Sequence, residues 1–352
     1  MRARRRPQAA LVASLAALAL PPLPHGWPHR LQIGLTESPT THAPAKLGFR
    51  YQYLAGGVNT GDGWSTWNPN GTFASTYVRD SWAHGEIPVL TYYMLLQSSP
   101  SLGDEAATDL GHLRDEQLMQ SYWRDVTLLL RRVAGKQTVV VHVEPDLWGY
   151  LEQANAVAVG RAFAQRWIAL RNRYAPNVLL AYHMSGWGTK HDIVYEDPPD
   201  ATVKRYAEQS AAFYRALHAR FDVAFEDFSD RDAGFYEQQQ GNAKTWFTVA
   251  DFHRHLLYGA TFVKLAKLRL VAWQIPLGNM HLDDTWGHYR DNRVEWLLGT
   301  GSRGHLRAYA TAGYVGFLFG GGADGTTSAA TDGGYFYARD RAYYAAGPLK
   351  LP

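Results

Sequence analysis

Residues 139–153 read VVVHVEPDLWGYLEQ, and this stretch decides the fold. Four of its first five residues are valine, a β-branched run interrupted by His142 that is typical of a buried strand. Pro145 stiffens the exit of that strand and removes a backbone donor, and an apolar helical pattern follows. A buried strand that leads directly into a helix is the repeating unit of a parallel α/β sheet.

The same alternation extends in both directions along the chain. Apolar runs span 47–54, 87–95, 138–146, 177–185, 222–230, 269–276 and 314–320, and helical patterns lie at 72–84, 113–134, 155–175, 202–220, 248–267 and 290–312. Such units connect by right-handed crossovers. Seven strands without a break in composition predict one α/β domain over 47–352, a distorted (β/α) barrel of seven parallel strands. No G-x-G-x-x-G follows the first strand, which argues against a dinucleotide-binding fold.

Composition excludes several classes of function. The 352 residues contain no cysteine, which excludes a disulfide scaffold, a Cys-ligated zinc site and a cysteine nucleophile. The net charge of +3 falls to 31 basic against 32 acidic residues once 1–26 are left out. No basic run then remains, so we predict no nucleic-acid partner. H-E-x-x-H does not occur, and we predict no metal and no cofactor.

The first 26 residues have the pattern of a secretory signal peptide. Four arginines precede an apolar run from Ala9 to Leu20, and two prolines end it. The run is too short to span a bilayer comfortably, although a membrane anchor is an open alternative. Residues 27–46 read as a Thr/Pro-rich lead-in. We therefore expect a secreted, periplasmic or cell-envelope protein without stable membrane insertion; the sequence does not indicate its oligomeric state.

Polar and aromatic residues follow the predicted strands, where a (β/α) barrel carries its chemistry. The candidate catalytic residues are Glu144, Asp146, Glu226 and Asp324. The candidate substrate-binding residues are Trp64, Tyr93, His183, Trp187, Trp273, Gln274 and Trp286. Carboxylates transfer protons and indoles stack on sugar faces, so this set predicts a cleft that processes a polysaccharide or oligosaccharide.

Each candidate also has a structural interpretation. Glu144 and Asp146 would repel each other's ionisation, which keeps a proton on one of them as a general acid requires. Alternatively, Asp146 caps the next helix while Glu144 forms a buried salt bridge. Glu226 could instead form a structural ion pair. His183 and each tryptophan could instead be buried residues of the core.

Two of these segments together resemble glycoside hydrolase family 6, the cellulases and cellobiohydrolases. That family has an apolar strand leading into E-P-D, matched at 144–146, and a late glycine-rich segment with D-G-T, matched at 320–326. The HMSGWG segment at 183–188 is similar to the family's next loop. The family's aspartate after strand two is missing from TYYMLLQSSPSLGDE at 91–105, so the resemblance implies a distant relative.

The resemblance implies inversion, with Asp146 as proton donor and Asp324 as base. Glu144 would tune Asp146, and Tyr93 would press on the sugar at the cleavage subsite. We therefore predict an exported glycoside hydrolase acting on a β-glucan-like substrate. Two alternatives stay open: a non-catalytic glycan-binding barrel of the cell envelope, and a retaining hydrolase with Glu226 as nucleophile.

Overall fold

A computed structural model describes residues 20–37 and 46–352. Most of the predicted signal peptide (1–19) and part of the predicted lead-in (38–45) lie outside the described residues. Within them, eight parallel strands close a barrel in sequence order. The strands are β1 Gln32–Thr36, β2 Phe49–Ala55, β3 Ile87–Tyr93, β4 Val139–Val143, β5 Val178–Met184, β6 Val223–Asp227, β7 Leu270–Ile275 and β8 Tyr314–Phe319.

Helices follow the strands and form the outer layer that a parallel barrel requires. They are α1 Trp64–Trp67, α2 Thr72–Ala83, α3 Glu105–His112, α4 Glu116–Val133, α5 Pro145–Gln153, α6 Val157–Tyr174, α7 Asp200–Ala216, α8 Ala233–Gln240, α9 Val249–Ala266, α10 Arg293–Leu298, α11 Arg303–Ala312 and α12 Tyr335–Ala345. None of the helices in the described part of the chain has the length and apolar character needed to cross a membrane.

The barrel fold is confirmed, but the predicted count of seven strands is wrong. The seven predicted strands correspond to β2–β8, and the additional strand, β1, lies in the segment predicted as a lead-in. β1 has only five residues and carries Gly34 at its centre, which weakens its strand signal. A Cβ at Gly34 would lie 2.7 Å from the carbonyl oxygen of Phe49, so the close approach of β1 to β2 requires glycine here.

Strand alternation decides which side chains enter the barrel. On β6, Phe225 packs against His142 of β4 at 4.4 Å between ring centroids, so it points inward. Asp227 shares that direction and meets His183 of β5. Glu226 points the other way, toward α9. The barrel interior therefore receives the aspartate of this pair and not the glutamate.

The two ends of the described chain meet at the amino end of the barrel. Arg269, which immediately precedes β7, donates from Nε to the carbonyl oxygen of Pro21 at 2.6 Å and from Nη2 to that of Pro352 at 2.8 Å. Trp27 is buried nearby in the core and donates to the carbonyl oxygen of Val315. We call this arrangement the Arg269 clasp; it lies opposite the end where barrel chemistry is found.

Candidate active site

A cleft of about 700 Å³ opens at the carboxyl ends of the strands. Its aromatic lining comes from several strand ends and loops: Tyr53, Tyr93, Tyr150, Trp187, Tyr195, Phe228, Tyr236, Phe247 and Trp273. Five carboxyl groups, from Glu105, Asp146, Asp192, Asp227 and Asp230, and two guanidinium groups, from Arg231 and Arg293, also line it. The cleft thus combines ring faces with an excess of acidic groups.

Three of these five carboxyl groups are exposed or already hydrogen-bonded by more than one donor. Glu105 is exposed and accepts the hydroxyl of Tyr150. Asp192 accepts the backbone N–H groups of residues 194 and 195. Asp230 accepts both the guanidinium of Arg231 and a tyrosine hydroxyl. Asp146 and Asp227 are therefore the carboxyl groups of the cleft that are best placed for chemistry.

Asp146 lies in the first turn of α5, directly after Pro145 at the first helical position. Its side chain does not cap the helix; instead Oδ2 accepts the hydroxyl of Tyr93 at 2.7 Å. Burial raises the pKa of Asp146 above its ordinary value, although the hydrogen bond from Tyr93 opposes that shift. A carboxyl group with a raised pKa can carry a proton at a higher pH than usual.

Glu144 lies two residues before Asp146 in the sequence, but its side chain does not line the cleft. The backbone of Glu144 has φ +39°, a left-handed conformation that is rare for a non-glycine residue. This turn directs its buried carboxyl group to the end of β3, where both oxygens lie 3.2 Å from the backbone nitrogens of Met94 and Leu95. Burial raises the pKa of Glu144 to about 8. The group thus connects the exits of β3 and β4.

Asp227 ends β6, and 27% of its side chain is exposed to the cleft. Its Oδ1 lies 3.2 Å from Nε2 of His183, but the two groups are not aligned as in a hydrogen bond. Oδ1 of Asp227 has no other partner among the described residues. Burial alone would raise the pKa of Asp227. The contact with His183 outweighs burial and holds that pKa below its ordinary value.

Glu226 lies behind the barrel wall. It is buried, accepts the hydroxyl of Tyr314, and has Oε1 3.6 Å from Nε2 of His255. Burial lowers the pKa of His255 to about 3, so this imidazole is neutral near neutral pH. Burial also raises the pKa of Glu226 well above its ordinary value. The surroundings therefore favour a protonated acid outside the cleft.

The predicted sugar-binding residues separate into two groups. Tyr93, Trp187, Trp273 and Gln274 line the cleft. Trp273 and Gln274 are neighbours, and both reach the cleft because the register between β7 and β8 shifts there and Gln274 has φ +49°. Bulges of this kind redirect side chains near active sites. Gln274 donates to the hydroxyl of Tyr53 at 2.7 Å.

Trp64, Trp286 and His183 are not among the residues that line the cleft. Trp64 is buried and donates its indole N–H to Asp125 of α4 at 2.8 Å. It is therefore a residue of the hydrophobic core and not a sugar-binding residue. Trp286 is 65% exposed on a neighbouring loop. His183 is buried below the cleft and reaches it through Asp227.

Asp324, the predicted base, is exposed and is not among the residues that line the cleft, although 322 and 323 are. The chain turns at Gly325, where φ is +79°. The indole of Trp286 packs on this turn so closely that a Cβ at Gly325 would lie 2.4 Å from it. The turn therefore separates Asp324 from the lining of the cleft.

Of the adjacent acids Glu226 and Asp227, the sequence analysis selected Glu226, and it did not single out Tyr53, Tyr150, Tyr195 or Asp230. The alternation of β6 showed that only one acid of the pair could face inward, but alternation alone does not reveal which. The bulky Phe225, two residues before Asp227, was the available signal. The described residues contain no group of three or more histidines and carboxylates arranged to hold a metal ion.

No protein-family model and no curated protein matches this chain. Among solved structures, a family 26 endo-β-1,4-mannanase from Cellulomonas fimi is similar over 90% of this chain and 70% of its own, with 11% identity and a TM-score of 0.54. A family 26 β-mannanase from Bacteroides ovatus is similar over 92% of this chain and 90% of its own, with 13% identity and a TM-score of 0.54.

A glycoside hydrolase family 5 enzyme from Prevotella bryantii, solved in complex with a xyloglucan tetradecasaccharide, is also similar. The alignment covers 89% of this chain and 96% of that one, with 9% identity and a TM-score of 0.51. These likenesses show the barrel fold. The predicted resemblance to family 6 is wrong, because these neighbours belong to families 26 and 5 and the barrel has eight regular strands instead of a distorted seven.

Proposed function

We propose that this protein is a glycoside hydrolase in which Asp146 is the general acid and Asp227 the catalytic nucleophile. The observation that carries the proposal is the opposite shift of their pKa values within one cleft: that of Asp146 is raised, mainly by burial, and that of Asp227 is lowered by His183 against the effect of burial. Two carboxyl groups whose surroundings separate their pKa values in this way suit acid and nucleophile roles.

The proposed reaction has two steps. Asp146 gives its proton to the glycosidic oxygen while the carboxylate of Asp227 attacks the anomeric carbon, which forms a glycosyl ester and releases the leaving sugar. Asp146, now a carboxylate, then takes a proton from the water that hydrolyses the ester. Asp146 and Asp227 line the same cleft, and the stereochemistry of the first product tests whether Asp227 attacks directly.

The substrate class we propose is a neutral β-linked polysaccharide or oligosaccharide. The ring faces of Trp187 and Trp273 are available in the cleft for stacking on sugars. Two of the similar structures are β-mannanases, and a third is bound to a xyloglucan oligosaccharide. These neighbours make β-mannan and xyloglucan the first substrates to test, with β-glucan beside them.

The experiment is a screen of the purified protein against β-1,4-mannan, xyloglucan and β-1,4-glucan, with NMR of the first product anomer. Release of sugars that keep the anomeric configuration supports the mechanism. Inverted products would contradict Asp227 as nucleophile. The reaction would then need a general base that activates water, such as Asp324. Binding without any release would contradict catalysis and favour a glycan-binding barrel.

We expect Tyr93→Phe to move the alkaline limb of the kcat/KM profile to higher pH. The hydroxyl of Tyr93 donates to Asp146 and so stabilises its carboxylate form. Loss of that donor raises the pKa of Asp146 further, and the general acid then stays protonated to higher pH. A pH series of kcat/KM for both proteins measures the shift. An alkaline limb that stays in place or moves to lower pH would contradict Asp146 as the acid.

We expect the cleft to discriminate against anionic sugars. Its five carboxyl groups outnumber its two guanidinium groups, so an added carboxylate on the substrate meets like charge. β-1,4-Mannan and β-1,4-mannuronan form a matched pair, because they differ at the C6 carboxylate. We predict that kcat/KM is about tenfold or more lower for mannuronan oligosaccharides, and that added salt narrows the gap. Equal rates for the two would contradict the role of cleft charge.

We also propose that the protein is exported and that cleavage precedes Pro21. The carbonyl of Pro21 is held by Arg269 and Trp27 is buried, so both residues belong to the folded barrel. N-terminal sequencing of protein recovered from the culture medium or the cell envelope tests this. A first residue beyond Pro21, or recovery in the cytoplasm alone, would contradict it.

A further inference from the structure

A line of four polar side chains crosses the barrel interior and ends at Asp227. Thr91 Oγ1 lies 3.5 Å from His142 Nδ1, His142 Nε2 lies 3.1 Å from His183 Nδ1, and His183 Nε2 lies 3.2 Å from Asp227 Oδ1. The four side chains come from four consecutive strands, β3, β4, β5 and β6. The first three are buried, and only Asp227 reaches the cleft.

The tilt of the strands produces this line. Thr91 pairs directly with His142. His142 pairs with Ala181, so His183 lies two residues farther toward the carboxyl end. His183 in turn pairs with Phe225, two residues before Asp227. An offset of two residues between neighbouring strands keeps every side chain on the inward face. The line therefore runs from the core toward the cleft at the carboxyl ends of the strands.

A placement with one proton on each imidazole satisfies the whole line. A carboxylate only accepts hydrogen bonds, so Nε2 of His183 must carry the proton that faces Asp227. With one ring proton, His183 accepts at Nδ1, which requires His142 to donate from Nε2. His142 is left with an acceptor at Nδ1, which faces the hydroxyl of Thr91 at the limit of hydrogen-bond distance. Every donor in the line thus points toward Asp227.

Aromatic rings enclose the two imidazoles. The indole of Trp273 meets both edge to face, with centroids 4.7 Å from His142 and 5.5 Å from His183. Phe225 covers His142 at 4.4 Å between centroids. Burial lowers the pKa of His142 well below its ordinary value, which fits a neutral imidazole at this position. A neutral side chain enclosed in this way can hold one tautomer without adding a charge to the core.

We infer that His142 is a positioning residue for the proposed reaction: it fixes the tautomer of His183, which then holds the carboxylate of Asp227 in place for attack. The inference rests on the proposed function for its catalytic consequence, but the proton placement stands on the geometry alone. In metal sites, groups that orient an imidazole through a hydrogen bond typically contribute about tenfold to a hundredfold to activity, and we expect an effect of that size here.

The first test reads the tautomers directly. The full chain is labelled with nitrogen-15 histidine, and long-range proton–nitrogen correlations distinguish Nε2–H, Nδ1–H and doubly protonated rings near neutral pH. His142 and His183 are assigned from spectra of His142→Gln and His183→Gln. The expected result is an Nε2–H tautomer for both rings. An Nδ1–H tautomer or a doubly protonated ring at either position would overturn the inference.

The second test separates positioning from packing. His142→Leu keeps a similar volume and removes the donor, whereas His142→Gln retains an N–H near the position of Nε2. We expect His142→Leu to lower kcat by about tenfold to a hundredfold with little change in KM, and His142→Gln to recover most of the loss. A folded His142→Leu protein with kcat within about twofold of wild type would overturn the inference.

The two tests also separate this inference from the proposed function. If the wild-type protein hydrolyses none of the glycans, the proposed function fails, while the tautomers still decide the proton placement. If His142→Leu does not fold, the wild-type tautomers together with the kinetics of His142→Gln decide the inference. A His142→Gln protein that folds but loses as much kcat as Asp227→Ala would then overturn it, since the retained donor should preserve function.

Discussion

Asp146→Asn should lower kcat by about a hundredfold to ten-thousandfold on glycans with a sugar leaving group. Asparagine fills the same space but cannot give a proton to the glycosidic oxygen. Substrate binding should change little, because the rings of Trp187 and Trp273 and the other cleft groups stay in place. Steady-state kinetics on mannan or glucan oligosaccharides, with binding measured by calorimetry, would show a large loss in kcat and a similar Kd.

The leaving group provides the diagnostic comparison. A dinitrophenyl glycoside departs without protonation, so Asp146→Asn should cleave it at a rate much closer to that of wild type. Asp115→Asn is the matched control, because it makes the same chemical change at the N-cap of α4, outside the cleft, where asparagine caps equally well. A normal rate for Asp146→Asn on natural glycans would remove Asp146 from the mechanism.

Asp227→Ala should abolish turnover almost completely, with a loss of at least about a thousandfold in kcat. The carboxylate is the proposed nucleophile, and alanine leaves a space beside His183 where Oδ1 lies 3.2 Å from Nε2. A small anion such as azide can enter that space and attack in place of the carboxylate. We expect azide to restore cleavage of an activated glycoside and to yield a glycosyl azide of inverted configuration.

Glu226→Gln is the control for this experiment and tests the open alternative directly. The two acids are adjacent in sequence, but Glu226 faces Tyr314 and α9 behind the wall. Its surroundings favour the protonated acid, which glutamine resembles in shape and hydrogen bonding. Near wild-type kinetics are expected. If instead Glu226→Gln is inactive while Asp227→Ala turns over normally, the assignment of the nucleophile is reversed.

The alternation of apolar runs and helical patterns in the sequence predicted seven of the eight strands. The remaining strand was missed because it is defined by packing against its neighbours. Strands β2–β8 are long or strongly apolar, because each is covered by the helix layer. Their apolar runs could therefore be recognised in the sequence. β1 is short and has Gly34 at the point where it approaches β2. Its assignment depends on pairing with β2 and β8, which are distant contacts that composition does not encode.

The rule that barrel chemistry lies at strand ends located much of the candidate site, including Asp146 and Trp187. The rest depended on facts that a linear pattern does not contain. Trp64 is in the core because Asp125, on the distant helix α4, accepts its indole N–H. The choice between Glu226 and Asp227 depended on the phase of β6, which the contact of Phe225 with His142 determines.

The Arg269 clasp has a consequence for how the molecule can be attached to something else. One guanidinium holds Pro21 and Pro352 at the amino end of the barrel, while the cleft opens at the carboxyl end. A bead, a fusion partner or a surface joined at either of these points would hold the molecule with its cleft facing outward. The same proximity favours circular permutation, in which a short linker joins the two points and new ends open in an exposed loop such as that at Gly241.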